Sequence, residues 1–111
     1  MTIGDSVTSI GDSAFYYCYS LTSVTIPDSV TSIGYSAFYN CSGLNKVFID
    51  DPAAWCSISF DDSSANPLTY AHNLYLDGSL IRHLVIPEGV TSVGNYAFYN
   101  CSSLTNVTIP D

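Results

Sequence analysis

Residues 7–29 read VTSIGDSAFYYCYSLTSVTIPDS, residues 30–51 read VTSIGYSAFYNCSGLNKVFIDD, and residues 90–111 read VTSVGNYAFYNCSSLTNVTIPD. A sequence that restates itself this closely encodes a stack of equivalent units. The isoleucines that close each short apolar run mark the period: Ile3, Ile26, Ile49, Ile86 and Ile109 stand 23, 23, 37 and 23 residues apart. One unit therefore carries an insertion of 14 residues. The reading is of one domain over residues 1–111, with repeats at about 7–29, 30–51 and 90–111 and a modified repeat with its insert at 52–89.

Each unit has a physical logic. Val24 and Ile26 alternate with Ser23 and Thr25, the signature of a short strand with one buried face. Pro27 has no N–H to give to a ladder and ends the strand. Val30 and Ile33 follow three apart, and Gly34 turns the chain. Ala14, Phe15, Cys18 and Leu21 fall on one face of a short helix or 3₁₀ turn. Neither element can bury its apolar side alone, whereas stacked copies share one continuous core.

The pattern A-F-x-x-C-x-x-L-x-x-V-x-I-P, followed by V-x-x-I-G, resembles the BspA-like leucine-rich repeats, also called the Treponema pallidum type. Here it runs through Ala14-Phe15, Cys18, Leu21, Val24, Ile26-Pro27, Val30 and Ile33-Gly34. It recurs through Ala37-Phe38, Cys41, Leu44, Val47 and Ile49, and through Ala97-Phe98, Cys101, Leu104, Val107 and Ile109-Pro110. Gly4 and Asp50 depart from it by replacing the proline. The resemblance implies an α/β leucine-rich-repeat solenoid: a right-handed β-α superhelix with a parallel sheet on one face and short helical or 3₁₀ turns on the other. It further implies an extracellular or cell-surface location, as part of a longer exported bacterial or mucosal-protist protein, and a role in adhesion.

Composition narrows the partners. Only Lys46 and Arg82 are cationic, against ten acidic residues and a net charge of −8, which argues against binding a phosphate backbone. No apolar run approaches a membrane span of about 20 residues. The chain opens directly on repeat sequence, so no signal peptide is expected at its start.

The irregular middle reads differently. Pro52–Phe60 is an apolar stretch, expected to be helical, with Trp55 filling the core. Residues 61–67 carry turn residues and read as a loop. Asn73–Leu76, Asp77-Gly78 and Ser79–Ile81 read as a hairpin that interrupts the parallel sheet or projects from it.

Most candidate sites have plainer roles. Cys18, Cys41 and Cys101 share one repeat position and point the same way, so buried free thiols are expected, with a bridge from Cys56 as the exception. Cys56, His72 and His83 have no zinc spacing. No serine elbow or phosphate loop is present, and no catalytic residue, metal or cofactor is assigned. Asp50, Asp51, Asp61, Asp62 and Asp77 read as solvated loop charge rather than a calcium site. Tyr16, Tyr39 and Tyr99 are in register and are expected to pack along the coil boundary with their hydroxyls in water, in preference to forming an adhesive or carbohydrate-facing stripe.

The outward strand positions say most. They are Ser23 and Thr25, then Lys46 and Phe48, then His83 and Val85, then Asn106 and Thr108. The middle pairs depart from the bland Ser, Thr and Asn of the ends, and Arg82 adjoins them. Lys46, Phe48, Arg82, His83 and Val85 are therefore the expected contacts of a non-enzymatic binding or adhesion module. Its expected partners are host or neighbouring-cell proteins or glycans, with no nucleic acid and no membrane insertion. The alternative is a structural spacer that associates with its own copies. A chain ending Thr108-Ile109-Pro110-Asp111 continues naturally into Ser6-Val7-Thr8-Ser9-Ile10-Gly11, so a fragment of a longer array with uncapped ends is expected.

Overall fold

A computed structural model describes residues 1–109, so Pro110 and Asp111 of the last unit lie outside the described residues. The strands are β1 (Ser9–Ile10), β2 (Ser23–Thr25), β3 (Ser32–Ile33), β4 (Lys46–Ile49), β5 (Ser59–Phe60), β6 (Leu74–Leu76), β7 (Ser79–Leu80), β8 (His83–Val85) and β9 (Asn106–Thr108). Two short helices, α1 (Pro52–Cys56) and α2 (Leu68–Ala71), belong to the irregular middle.

The strands form three small sheets, ordered β2-β4-β6-β7, β1-β3-β5 and β8-β9. Every pairing in them is parallel except the β6–β7 hairpin. Register follows the sequence repeat: Val24 lies beside Val47, and Leu84 beside Val107. The coils of residues 7–29 and 30–51 each contribute two strands, because the segment read only as an apolar step before Gly34 also pairs, Ile10 with Ile33 and Ile33 with Phe60. Between the two sheets lie Val24, Val30, Ile33, Phe38, Cys41 and Val47, all essentially sealed from solvent.

The 37-residue spacing resolves into two parts. Leu76 pairs with Ile49, so residues 50–76 make a coil of their own, longer than the regular ones. The hairpin then turns at Asp77-Gly78, both with positive φ (51° and 84°), as a tight two-residue turn demands. It interrupts the parallel sheet rather than projecting from it: β6 continues that sheet, and β7 ends it antiparallel, so β8 and β9 form a separate ribbon.

The turn side of the regular coils corrects the helical expectation. Residues 13–18 form successive i→i+3 turns, such as Ala14 N to Gly11 O and Cys18 N to Phe15 O, rather than a helix. Left-handed backbone at Ser13 and Tyr17 breaks the helical path and frees alternate N–H groups to reach the next coil. Ser13, Phe15 and Tyr17 donate to the carbonyls of Tyr35, Ala37 and Tyr39 at 2.9, 2.7 and 2.8 Å. Inter-coil pairing on this side satisfies backbone groups that a helix would have satisfied internally. Inside it, Phe15 and Phe38 stack at 5.1 Å.

In the long coil true helices do form. Asp51 caps α1, its carboxylate accepting from Ala53 N at 2.9 Å, and Pro52 opens the helix. Trp55 fills the core as expected, edge-on to Phe60 at 5.2 Å. The segment read as a loop contains a 3₁₀ turn over Ser63–Ala65, followed by α2. Asn66 takes the extended conformation that a residue before proline favours, and it is wholly buried. Its side-chain Nδ2 donates to Tyr96 O (2.6 Å) and Ala97 O (3.0 Å), while Oδ1 accepts from Leu68 N (2.8 Å). Trp55 Nε1 donates to the same Ala97 carbonyl at 2.8 Å. Ala97 occupies the repeat position of Ala37, whose carbonyl takes a backbone N–H from the preceding coil. Two side chains thus replace one rung of the ladder.

Candidate functional site

The outward face of the sheets carries the expected contacts in two groups. Lys46 opens β4 and is exposed; Phe48, two residues on, is half-buried on the same face. Parallel pairing puts Tyr75 of β6 directly beside Phe48, with ring centroids 5.0 Å apart. Lys46 Nζ lies 5.6 Å from the centre of the Tyr75 ring, within range of a cation–π contact. Leu80, the cross-strand partner of Tyr75 on β7, extends the apolar surface and is itself exposed.

Arg82, His83 and Val85 form the second group, all exposed, at and just before β8. His83 Nε2 meets Thr108 Oγ1 of β9 at 2.7 Å, so one strand's imidazole is oriented by its neighbour. These residues share the β8–β9 ribbon, whereas Lys46 and Phe48 share the four-stranded sheet. The β7 strand closes the edge between them, so the five expected residues belong to two adjoining surfaces.

Tyr75 is the residue that sequence reasoning missed. Its signal was present: Leu74 and Leu76 flank it, as Val47 and Ile49 flank Phe48. Assigning the whole segment to a hairpin insert, rather than to a repeat strand, hid that equivalence.

The other candidates fall into plainer roles. All four cysteines are free. Burial pushes the Cys41, Cys56 and Cys101 thiols above their ordinary pKa and keeps them protonated. Cys41 Sγ donates to Phe15 O at 3.0 Å. Among the described residues, no group of three or more His, Cys, Asp or Glu side chains is arranged to hold a metal ion. His72 ends α2 in left-handed conformation, and its Nδ1 donates to Asn100 O at 3.0 Å, tying the long coil to the next. Asp12 and Asp62 are tied as well: their Oδ1 atoms accept from Tyr35 N (2.9 Å) and Ser36 N (3.2 Å). Among the described residues, no helix is long and apolar enough to cross a membrane.

The repeat, the parallel registers and the turn-side ladder all point to one family. The BspA type leucine-rich repeat region matches this chain in six copies, over residues 1–75 and 69–111. The chain belongs to the BspA-type leucine-rich repeat family. It resembles the solved structure of a leucine-rich cell surface protein from Faecalibacterium prausnitzii, at 33% identity and a TM-score of 0.56, over 98% of this chain. A leucine-rich repeat protein from Bacteroides ovatus is similar at 31% identity and a TM-score of 0.52, again over 98% of the chain. The chain spans 35% of the first of those proteins and 24% of the second. No curated protein matches it. As a BspA-type repeat region, the chain has the leucine-rich-repeat fold of parallel sheets with few and short helices.

Proposed function

We propose that the chain is a non-enzymatic binding or adhesion module of a secreted or cell-surface protein, using the outward face of its strands to hold a protein or glycan. The observation that carries this reading is the convergence of Lys46, Phe48 and Tyr75 on one sheet face. The first and last coils have Ser23 and Thr25, and Asn106 and Thr108, at these positions, so the aromatic pair and its cation are departures the scaffold does not require. Aromatic rings beside a cation are the composition of interface hot spots. Arg82, His83 and Val85 extend the contact onto the neighbouring ribbon. The right-handed superhelical path of the coils and the exported location belong to this reading, and the cell-surface description of the Faecalibacterium protein supports the latter.

The test is a Lys46→Ala/Phe48→Ala double variant, screened against immobilised matrix proteins and glycans beside the unaltered chain. Capture weakened at least about tenfold, with melting unchanged, is the expected result. Equal capture by both proteins would refute the assignment.

A further inference from the structure

Two tyrosines occupy backbone positions that disfavour them. Tyr17 and Tyr96 have φ of 58° and 66°, in the left-handed region. The other coils place Asn40 and Asn100 at the Tyr17 position, and Ser13 and Ser36 at the Tyr96 position, all with φ of 55–56°. Asn sits there with little cost, whereas a bulky residue in this region is an outlier. Both tyrosines are far from buried, 40% and 42% exposed, so the cost is not recovered by filling the core.

Each of them meets other tyrosines instead. Tyr16 and Tyr39 stack across adjacent coils at 5.2 Å, with planes 19° apart. Tyr17 stands nearly perpendicular to both, at 4.4 Å from Tyr16 and 5.7 Å from Tyr39, and Tyr19 leans on Tyr17 at 5.5 Å. The result is a step of flat rings with one wall, on the turn segments rather than on the strands. Tyr96 makes a smaller version with Tyr99 at 5.8 Å. Strained residues that gain no burial mark positions kept for contact with something else.

The chemistry of that contact is constrained. The chain's two cationic side chains, Lys46 and Arg82, belong to the strand side, in and just before strands β4 and β8. A net charge of −8 repels polyanions, and no Lys or Arg side chain stands on the turn segments that carry the rings. Ring faces that meet the C–H face of a sugar, with phenol hydroxyls able to donate to and accept from its hydroxyls, fit an uncharged saccharide. We infer that the Tyr16–Tyr17–Tyr19–Tyr39 step is a second binding surface, for a neutral polysaccharide, independent of the strand face.

The test uses the 111-residue chain and its Tyr17→Asn variant, which installs the residue the other coils use. Native gels cast with dextran, mannan or galactomannan, and with alginate as the acidic control, report binding as retardation. The expected result is retardation by at least one neutral polymer and none by alginate. Tyr17→Asn should weaken that retardation about tenfold while the melting temperature holds or rises. Lys46→Ala/Phe48→Ala should leave it unchanged, which separates this surface from the strand face. No retardation of the unaltered chain, retardation undiminished in Tyr17→Asn, or a loss accompanied by a lower melting temperature would each overturn the proposal. Sedimentation of both proteins closes the remaining route: self-association abolished by Tyr17→Asn would assign the step to copies of the chain and overturn it as well.

Discussion

The regular coils and the long coil hold their neighbours by different means. Between the coils of residues 7–29 and 30–51, the turn side is joined by backbone N–H groups donating at every second residue. Any sequence that keeps the alternating left-handed path can form such a ladder. In the long coil, α2 turns its backbone N–H groups inward, Ala71 and His72 bonding to Pro67 and Leu68. Asn66 and Trp55 then reach the Ala97 carbonyl with side-chain donors. The difference is one of substitutability. A repeat rung is encoded by backbone conformation, whereas the irregular rung is encoded by two particular residues.

The largest effect should follow from removing one of those residues. Trp55→Ala deletes a buried ring and a donor together, and should cost about 3–5 kcal/mol in chemical denaturation. Trp55→Phe keeps most of the ring and loses the donor, so it should cost about 1–3 kcal/mol. If both variants lose the same amount, the hydrogen bond to Ala97 is the whole effect; if Trp55→Phe loses nothing, the substituted rung has no value.

A middle-sized effect belongs to the regular coils. Gly43 faces the preceding coil so closely that an added Cβ would lie 2.6 Å from Tyr19 O. The obstacle is backbone, which cannot swing away. Gly43→Ala should therefore push two coils apart and cost about 1–3 kcal/mol. Ser103 stands at the same repeat position beside the long coil, where its N–H bonds His72 O and its Oγ accepts from Leu74 N. Ser103→Gly should lose that side-chain bond, the weaker contact of its Oγ with Cys101 Sγ at 3.6 Å, and the backbone restraint, about 1–2 kcal/mol. The pair of substitutions shows whether coil spacing is stricter where backbone meets backbone.

These contrasts also explain what the sequence disclosed. The period, the strand alternation at Val24 and Ile26, and the Asp77-Gly78 turn are local patterns, and each is found where expected. The left-handed residues were not legible, because Ser13 and Tyr17 carry no glycine to announce them. Ala14, Phe15, Cys18 and Leu21 therefore gave a helical spacing that the backbone does not follow. The strand at Leu74–Leu76 was legible as one arm of the hairpin, but its parallel pairing with β4 was hidden by the 27-residue offset between them. Lys46 and Phe48 could be placed on the outward face from alternation alone, but their neighbour Tyr75 required the true register.

The smallest effect concerns charge on the strand-exit edge. Burial, with the carboxylates of Asp51, Asp50 and Asp5, raises the pKa of Asp28 in the folded chain. A raised folded pKa means that folding favours the protonated acid. The contribution is complete below the unfolded value, about 3.9, and is lost as pH rises through the folded value. Asp28→Asn should stabilise the chain slightly at neutral pH and leave it unchanged near pH 3. Asp28 is largely exposed, so solvent keeps the gain small. A loss of stability at neutral pH would show that the carboxylate has a partner after all.

The central contrast, backbone rungs against a side-chain rung, is tested most directly by native-state hydrogen exchange on the Asn66→Ala variant. Removing the Asn66 amide leaves Tyr96 O without its side-chain donor, and Leu68 N without its acceptor. Protection should fall by about tenfold or more for amides of residues 94–104 and 66–72. It should persist at Phe15, Tyr17 and Val47, whose partners are backbone carbonyls in other coils. A uniform loss across the chain, or none at residues 94–104, would contradict the account.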